Sequence, residues 1–196
     1  SLGFTSLLTN GHVHCHRIIN AAGAWANEVA NKMGQSLPVE LNCVQSNITE
    51  RTSPLIGHLV CHAEKILSLK QVADGGVIIG GGWPAKLCPK TRSLEIIFDN
   101  VVSNVSLAKE VVPELENVRL LRSWAGVNIK SNGKPILGQT PGLPGFYNAI
   151  PPDAGLTMGP ICAKLVVEQI LGKTFFAKQC WPIGTERFQG AERSGF

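Results

Sequence analysis

Apolar and polar residues alternate in several stretches of the first 80 positions, and a period of two is typical of β-strands. Residues 2–8 and 12–19 flank Asn10-Gly11, a pair that favours the tight turn of a hairpin. A longer alternating run covers residues 39–50. Short strands are predicted at residues 59–63, 66–72, 76–80, 118–124 and 136–138, and a helix at residues 93–112. The pattern predicts an antiparallel sheet that begins after Leu37-Pro38, where we place a domain boundary.

Two strand-to-helix junctions differ from this alternating pattern. The first joins a buried strand to a helix ending near Met33 through Ala21-Ala22-Gly23-Ala24, and small residues let another backbone or a flat ligand approach closely. The second joins a strand at residues 146–150 to a helix through Pro151-Pro152-Asp153-Ala154-Gly155. Regular spacing predicts one buried face on that second helix, made of Leu156, Ile161, Leu165, Val166 and Ile170.

The first turn of the second helix, residues 155–159, is a candidate binding site. Free backbone N–H groups at a helix N-terminus carry about half a positive charge, which favours an anion or an electron-rich ring. The alternative is an ordinary strand–turn–helix packing unit, and the local pattern alone leaves both interpretations open.

Charge and composition exclude several partners. The net charge is +4 with Lys and Arg scattered singly, so we predict no nucleic-acid partner. No stretch approaches the roughly 20 consecutive apolar residues of a membrane span, and no signal peptide is evident. The six cysteines form no C-x-x-C pair, which favours reduced, buried thiols and a cytoplasmic location. The sequons at Asn47 and Asn104 would matter only in a secreted protein.

Two further motifs carry weaker chemical signals. His12, His14 and His16 alternate on one predicted strand face, but no carboxylate or cysteine follows at a ligand-like spacing, so no metal site is predicted. Gly80-Gly81-Gly82-Trp83-Pro84-Ala85 fits a dinucleotide G-x-G-x-x-A only superficially, because Pro89 would interrupt the helix that such a motif needs. A strand that ends in a glycine bend is the better interpretation.

Five short motifs follow one another along nearly the whole chain. They are Ile19-Asn20-Ala21-Ala22-Gly23-Ala24-Trp25-Ala26, Gly76-Val77-Ile78-Ile79-Gly80-Gly81-Gly82-Trp83, Arg122-Ser123-Trp124-Ala125-Gly126, Gly133-Lys134-Pro135-Ile136-Leu137-Gly138 and Gly155-Leu156-Thr157-Met158-Gly159-Pro160. In this order they resemble the C-terminal half of the glycine/D-amino-acid oxidase family of FAD-dependent oxidoreductases. The segment Ser68-Leu69-Lys70-Gln71 is most similar to the branch with opine oxidase, hydrogen cyanide synthase and D-hydroxyproline dehydrogenase flavoprotein subunits.

The resemblance implies a fold class of α+β / α/β, in which part of a discontinuous, Rossmann-like FAD-binding domain accompanies an antiparallel substrate domain. Residues 1–36 and 121–175 would belong to the FAD-binding domain, residues 37–120 to the substrate domain, and residues 176–196 to a C-terminal tail. The family's N-terminal G-x-G-x-x-G segment, which holds the FAD diphosphate, is absent from this sequence. We therefore expect a fragment or a partner subunit that supplies the missing half, and poor FAD binding by this chain alone.

The resemblance also implies site residues. Cofactor contacts are expected at Ala22, Gly23, Trp25, Gly126, Asp153, Ala154, Gly155, Leu156 and Thr157. Asn128 stands where amino-acid oxidases of the family often carry an Arg that pairs with the substrate carboxylate, and an amide cannot replace that charged fork. Lys70 or Lys130 would have to compensate, so Lys70 and Asn128 are the candidate catalytic residues. Pro135 replaces a flavin-tethering Cys of some relatives, which implies non-covalent FAD.

Asp153, Arg122 and Trp124 can also be interpreted from their neighbours in the sequence alone. Asp153 precedes the second helix and is expected to cap it; an alternative is that its charge lowers the potential of a nearby flavin. Arg122 and Trp124 alternate and are expected to share one strand face, which has a functional meaning only if that face looks inward.

The implied activity is oxidation of a C–N bond in a secondary amine, a D-amino acid or an opine-like substrate. Hydride would pass to the flavin, and water would hydrolyse the resulting imine. The alternative is a non-catalytic α+β binding or assembly module derived from the same family and lacking flavin.

Overall fold

The computed structural model describes residues 3–173, which contain twelve strands and three α-helices. The strands are β1 Phe4–Leu8, β2 Gly11–Cys15, β3 Ile18–Asn20, β4 Glu40–Arg51, β5 Val60–Cys61, β6 Ser68–Gln71, β7 Gly76–Pro84, β8 Lys86–Leu87, β9 Leu94–Glu95, β10 Leu120–Lys130, β11 Ile136–Gln139 and β12 Phe146–Ile150. The helices are α1 Ala26–Asn31, α2 Phe98–Val111 and α3 Gly155–Ile170. Within this part of the chain, no helix combines the length and apolar character needed to cross a membrane. The predicted tail at residues 176–196 lies outside the described residues.

The chain divides into two compact units. Unit 1 combines the described residues up to Leu41 with those from Ile129 onward, and unit 2 is Asn42–Asn128. Unit 1 is therefore discontinuous in sequence. Both β4 and β10 cross the division between the units. The predicted boundaries lie elsewhere, one before β4, near residue 37, and one at the start of β10, near residue 121. The FAD-binding and substrate roles of the two units stay predictions.

Unit 1 is built around a three-stranded sheet in the order β11-β12-β3. β11 pairs antiparallel with β12, and β12 pairs parallel with β3, with Tyr147 opposite Ile19 and Asn148 opposite Asn20. β1 and β2 form the hairpin that Asn10-Gly11 predicts. The parallel pair explains why the small-residue junctions differ from the alternating strands: a parallel pair needs a crossover, and each of these strands leads into a helix.

Helices cover both faces of this sheet. Ile136 and Ile150 pack with Ala26 and Ala30 of α1, and the opposite face packs Leu137 and Tyr147 against Cys162 and Val166 of α3. The central residues are almost completely buried. These two apolar layers stabilise the edge of the sheet from which the junctions emerge.

The predicted buried face of α3 is wrong at two positions. Leu156 is 97% exposed and Ile161 is 42% exposed, whereas Cys162 and Val166 are buried. At 100° per residue, Leu156 lies about 120° around the helix axis from Cys162, so it projects away from the sheet. The regular spacing of apolar residues along α3 therefore includes positions that lie on the surface.

Unit 2 is a five-stranded sheet in the order β10-β4-β7-β6-β5 with α2 on one face. Leu69, Val77 and Ile79 pack against Leu107 and Ala108 of α2. The antiparallel pairs β4–β7, β6–β7 and β5–β6 confirm the antiparallel character predicted for this region. β7 continues through its glycines to Pro84 and no helix follows it directly, which agrees with rejection of the dinucleotide motif.

The helix predicted at residues 93–112 begins later than its apolar pattern suggested. Leu94–Glu95 instead forms β9, which pairs with Lys86–Leu87. The connecting turn is held by Arg92, whose N–H donates to the Cys88 carbonyl and whose φ is +56°. This two-stranded pairing uses the backbone groups that an earlier helix start would need.

Unit 2 has a buried amide network between α2 and the sheet. Nδ2 of Asn47 donates to Oδ1 of Asn104 at 3.1 Å, and Nδ2 of Asn104 donates to the carbonyl of Gly80 at 3.0 Å. Oγ of Ser123 donates to Oδ1 of Asn47 at 2.7 Å. Both sequon asparagines are completely buried and bonded to each other, so neither is accessible for glycosylation in the folded protein.

The prediction of buried thiols is right only for Cys162. Among the described cysteines Cys61 is exposed and Cys15, Cys43 and Cys88 are half-buried, while all five are free thiols. Burial raises the pKa of the Cys162 thiol. Cys15, Cys43 and Cys61 lie in β2, β4 and β5, Cys88 follows β8, and Cys180 lies outside the described residues.

A surface ion pair joins β4 to the segment before β10. Both Nε and Nη2 of Arg119 donate to Oε2 of Glu50, and the Arg119 N–H donates to Oε1. These hydrogen bonds hold the pKa of the Glu50 carboxyl below its ordinary value. A depressed pKa contributes stability above the unfolded-state value of about 4.3, and that contribution is lost as pH falls through the folded-state pKa.

We therefore expect Glu50→Gln to lower the urea midpoint at pH 7 but to have little effect at pH 3. Urea unfolding at both pH values would measure this. Glu114→Gln, at an exposed carboxylate of unit 2, controls for loss of one surface charge. An equal loss of midpoint at pH 7 and pH 3 would contradict the assigned ion pair.

Candidate functional site

The parallel pair β3–β12 brings both junctions to one edge of the unit 1 sheet. The two strands run in the same direction with Asn20 opposite Asn148, so the chain leaves both at the same end. Ala21–Trp25 follows β3, and Pro151–Gly155 follows β12. Ligands of open sheets with parallel strands bind at the carboxyl ends of those strands. This edge is therefore the candidate functional site of unit 1.

The junction after β3 forms a tight turn with open space beside it. A 3-10 turn covers Gly23–Trp25, and the Trp25 N–H donates to the Ala22 carbonyl. Gly23 has φ of +56°, and a Cβ placed on it would have no neighbour within 4 Å. Trp25 is 43% exposed although it is a large aromatic residue. The turn therefore exposes its backbone and the Trp25 indole ring, and no side chain covers Gly23.

The junction after β12 presents an uncapped helix N-terminus. The N-cap residue of α3 is Ala154, and no side chain makes a capping hydrogen bond. The N–H groups of Thr157 and Met158 both donate to the Ala154 carbonyl, which leaves the Gly155 and Leu156 amides directed beyond the helix. The expectation that Asp153 caps α3 is wrong, because the helix begins one residue too late for its carboxylate to be the N-cap.

The hydrogen-bond donors at the start of α3 are of the kind that a flavin ring can accept. The Gly155 and Leu156 amides are uncompensated donors at the positive end of a 16-residue helix, where negative charge on a ring is stabilised. A Cβ on Gly155 would meet only the Pro151 ring, at 3.7 Å, so backbone can approach a flat group closely. The flavin edge around N1–C2=O is such a group, and the residues Ala22 to Trp25 and Asp153 to Thr157 would hold it.

The candidate catalytic residues share one face of the unit 2 sheet. Lys70 pairs with Ile78, which pairs with Ile48, whereas the adjacent positions Leu69 and Ile79 face α2. Lys70 is exposed and therefore projects from the face opposite α2.

Strand β10 contributes to the same face. Ser123 contacts Asn47 on the α2 side, so alternation directs Trp124, Gly126 and Asn128 to the other side. Two strands separate β10 from β6, which places the Lys70 and Asn128 backbones about 14 Å or more apart. The two residues share a face without direct contact.

Arg122 and Trp124 do share a strand face, as their alternation predicts. The Arg122 guanidinium lies over the Trp124 ring, 5.4 Å from its centroid. A cation on an aromatic face is stabilised by about 0.5–1 kcal/mol at exposed sites. The stacked pair adds a fixed positive charge to the face that carries Asn128.

The N-terminal histidines lie on the exposed hairpin. The rings of His12 and His14 have centroids 4.8 Å apart, and Nδ1 of His14 bonds to Oγ1 of Thr5 at 2.9 Å. His16 lies after the end of β2. Within residues 3–173 no three His, Cys, Asp or Glu side chains are grouped closely enough to hold a metal ion.

A buried amide chain beneath the candidate site was missed by sequence reasoning. Asn20, Asn148 and Thr140 lie in or beside neighbouring strands and are all buried. Nδ2 of Asn20 reaches Oδ1 of Asn148 at 3.2 Å, and Nδ2 of Asn148 reaches Oγ1 of Thr140 at 2.9 Å. The available signal was a polar residue at equivalent positions of two apolar strands that each precede a junction.

Comparison with known proteins identifies the family. Residues 3–169 match the family described as DAO, FAD dependent oxidoreductase. The chain belongs to this family. The match covers nearly all described residues and confirms the resemblance that the five ordered motifs indicate.

Curated relatives include components of several amine and amino-acid enzymes. The HcnC component of hydrogen cyanide synthase from Pseudomonas aeruginosa is 33% identical over 71% of this chain and 32% of its own length. An opine oxidase component from Rhizobium meliloti is 28% identical over 83% of this chain and 42% of its own length. The chain thus spans about a third to two fifths of the length of these relatives. Both belong to the branch that the segment at Ser68-Leu69-Lys70-Gln71 indicates.

Solved structures share the fold. L-proline dehydrogenase from P. horikoshii superposes with a TM-score of 0.80 at 26% identity, covering 94% of this chain and 50% of that chain. Glycine oxidase from Geobacillus kaustophilus gives a TM-score of 0.72 at 21% identity, over 85% of this chain and 44% of that chain. The predicted mixed α/β fold class and FAD as the cofactor of the family are confirmed. The individual site residues stay predictions.

Proposed function

We propose that this chain is the part of an FAD-dependent amine or amino-acid oxidoreductase that orients the flavin and contacts the substrate. The observation that carries the proposal is the parallel pair β3–β12, which delivers an open glycine turn and an uncapped helix N-terminus to one edge of a sheet. When bound, FAD would supply the acceptor for the two electrons removed from a C–N bond. The chain itself would bind and orient the flavin and the substrate, and it would stabilise negative charge on the flavin electrostatically.

Unit 1 would hold the flavin through backbone groups. Ala22, Gly23 and Trp25 would line one side, and residues Gly155 to Thr157 would face the pyrimidine edge, with the Gly155 and Leu156 amides as the available donors. A helix N-terminus stabilises nearby negative charge by about 0.3–2 kcal/mol. Because reduction adds electron density at that edge, the same amides would favour the reduced cofactor over the oxidised one.

Unit 2 would contact the substrate through the face that carries Lys70, Arg122 and Asn128. Asn128 offers a neutral amide that can orient a polar group but cannot form a charged fork with a carboxylate. Lys130 is paired with Glu40 at 3.6 Å, which leaves Lys70 as the better candidate to pair with a substrate carboxylate. This favours a secondary amine or opine-like substrate over a simple amino acid, in line with the name of the opine oxidase relative.

A partner that supplies the FAD diphosphate site is part of this proposal. The relatives named above are described as subunits, and the sequence lacks a G-x-G-x-x-G segment. Either a preceding segment of the same polypeptide or a separate polypeptide would provide it. The cytoplasmic location also stays a prediction.

The full-length protein tests the proposal directly. We expect it to purify yellow, with absorption near 450 nm (approximately where flavins absorb) that bleaches on addition of a secondary amine under anaerobic conditions. Colourless protein that takes up no added FAD would overturn the proposal and favour the flavin-free binding module instead.

Leu156→Asp tests the α3 N-terminus. An acidic residue there interacts favourably with the helix dipole but repels negative charge on reduced flavin, so the midpoint potential should fall by about 10–40 mV without loss of thermal stability. Leu156→Asn is the matched control, because it changes shape similarly without adding charge. Equal potentials for the two variants would show that the flavin does not lie at this helix end.

A further inference from the structure

We propose that Asn20 is a positioning residue for the flavin, because it holds the Ala22–Ala26 turn at both ends from beneath. This role rests on the proposed function, since it concerns the turn that would contact the ring. Asn20 itself is 2% exposed and would not touch the cofactor.

The contacts of Asn20 enclose the turn. Its Oδ1 accepts the Ala22 N–H at 3.3 Å, where the chain leaves β3, and its Nδ2 donates to the Ala26 carbonyl at 2.9 Å, where α1 begins. The 3-10 turn with Gly23 lies between these two anchor points. One side chain therefore fixes the start and the end of the segment that carries the open glycine.

The chemistry of the partners fixes the orientation of the amide. A backbone N–H can only donate and a carbonyl can only accept, so the oxygen of Asn20 must point to Ala22 and its nitrogen to Ala26. The second hydrogen on Nδ2 then requires an acceptor, which is Oδ1 of Asn148. Nδ2 of Asn148 in turn donates to Oγ1 of Thr140. The hydrogen bonds therefore link the turn after β3, through β12, to the residue that follows β11.

This arrangement also ties the two flavin-facing junctions together. Asn148 lies in β12, two residues before Ile150, so the strand that leads to α3 orients the amide that holds the turn after β3. A displacement of β12 would change the acceptor available to Asn20 and thus the position of Gly23. The hydrogen bond between Asn20 and Asn148 therefore fixes the position of the Gly23 turn relative to β12, the strand that leads to the α3 N-terminus.

The test uses Asn20→Ala and Asn148→Ala in the full-length protein. Hydrogen exchange at the Ala22 amide reports on the turn with or without cofactor, and FAD titration of deflavinated protein reports on the site. We expect faster exchange at Ala22 and an FAD Kd raised about tenfold in Asn20→Ala, from loss of a buried hydrogen-bond pair. In the double variant the Kd should rise no further than in Asn20→Ala, because Asn148 acts through Asn20.

Asn104→Ala is the matched control. Asn104 is an equally buried amide with two hydrogen bonds, but it lies in unit 2 on α2. Its FAD Kd should stay within about twofold of wild type even where its thermal stability falls as much. An equal rise in Kd for Asn20→Ala and Asn104→Ala, or faster Ala22 exchange without a change in Kd, would overturn the positioning role. Wild-type protein that binds no FAD would instead overturn the proposed function, and this role with it.

Discussion

Gly81→Ala should destabilise the protein by about 3 kcal/mol or more, the largest loss expected from adding a single methyl group. Gly81 has φ of +124°, and a Cβ there would lie 2.7–2.9 Å from the backbone N, Cα and C of Leu67. Backbone atoms cannot rotate away as a side chain can, so the start of β6 would have to move from β7. Urea unfolding at pH 7 measures the loss.

Gly82→Ala separates backbone strain from this clash. Gly82 also has positive φ, at +102°, but a Cβ on it would meet nothing within 4 Å. We expect a loss of only about 1–2 kcal/mol, from conformational strain alone. Equal losses at the two neighbouring glycines would show that the close approach to Leu67 is absent in solution.

Asn104→Ala should cost about 3–5 kcal/mol of unfolding free energy. It removes both hydrogen bonds of a fully buried amide and leaves Nδ2 of Asn47 and the Gly80 carbonyl without their partner. Each buried polar group left unsatisfied costs about 1–3 kcal/mol, and the cavity adds to this. Chemical denaturation in urea would show a lower midpoint with an unchanged slope.

Asn100→Ala provides the comparison within the same helix. Nδ2 of Asn100 donates to the Pro84 carbonyl at 2.9 Å, but this hydrogen bond is exposed to solvent. Water can replace the lost donor, so we expect less than about 1 kcal/mol. Similar losses for the two asparagines would mean that Asn104 is not sealed between α2 and the sheet.

The strands and junctions could be predicted because their signals are local. Asn10-Gly11 predicts a hairpin at the observed place, although Gly11 pairs with Leu8 and the turn residues are Thr9 and Asn10. The small residues around Gly23 predict room for close approach, and the structure shows a tight turn with open space beside Gly23. Order along the chain was enough to indicate the family. Each of these signals depends on residues within a few positions of one another.

Errors arose where a local pattern competed with a distant partner. The helix α2 begins after β9 because Leu94–Glu95 pairs with β8, which an apolar helical spacing does not reveal. Leu156 fits the apolar spacing of a helix, but its side chain, in the first turn of α3, projects away from the sheet. In the first case pairing with a neighbouring strand decided where the helix begins, and in the second the position of the sheet decided which side of the helix is buried.

The sequence alone determined the family, the mixed α/β fold class and the location of two candidate cofactor junctions, because backbone preferences and turn chemistry act over a few residues. Only the tertiary structure placed those junctions at one edge, through the parallel pairing of β3 with β12. It also converted two sequons into a buried amide pair, and brought Asn20 to Asn148 across 128 positions of sequence. A buried amide is tolerated only where distant groups complete its hydrogen bonds, and a linear pattern does not contain that information.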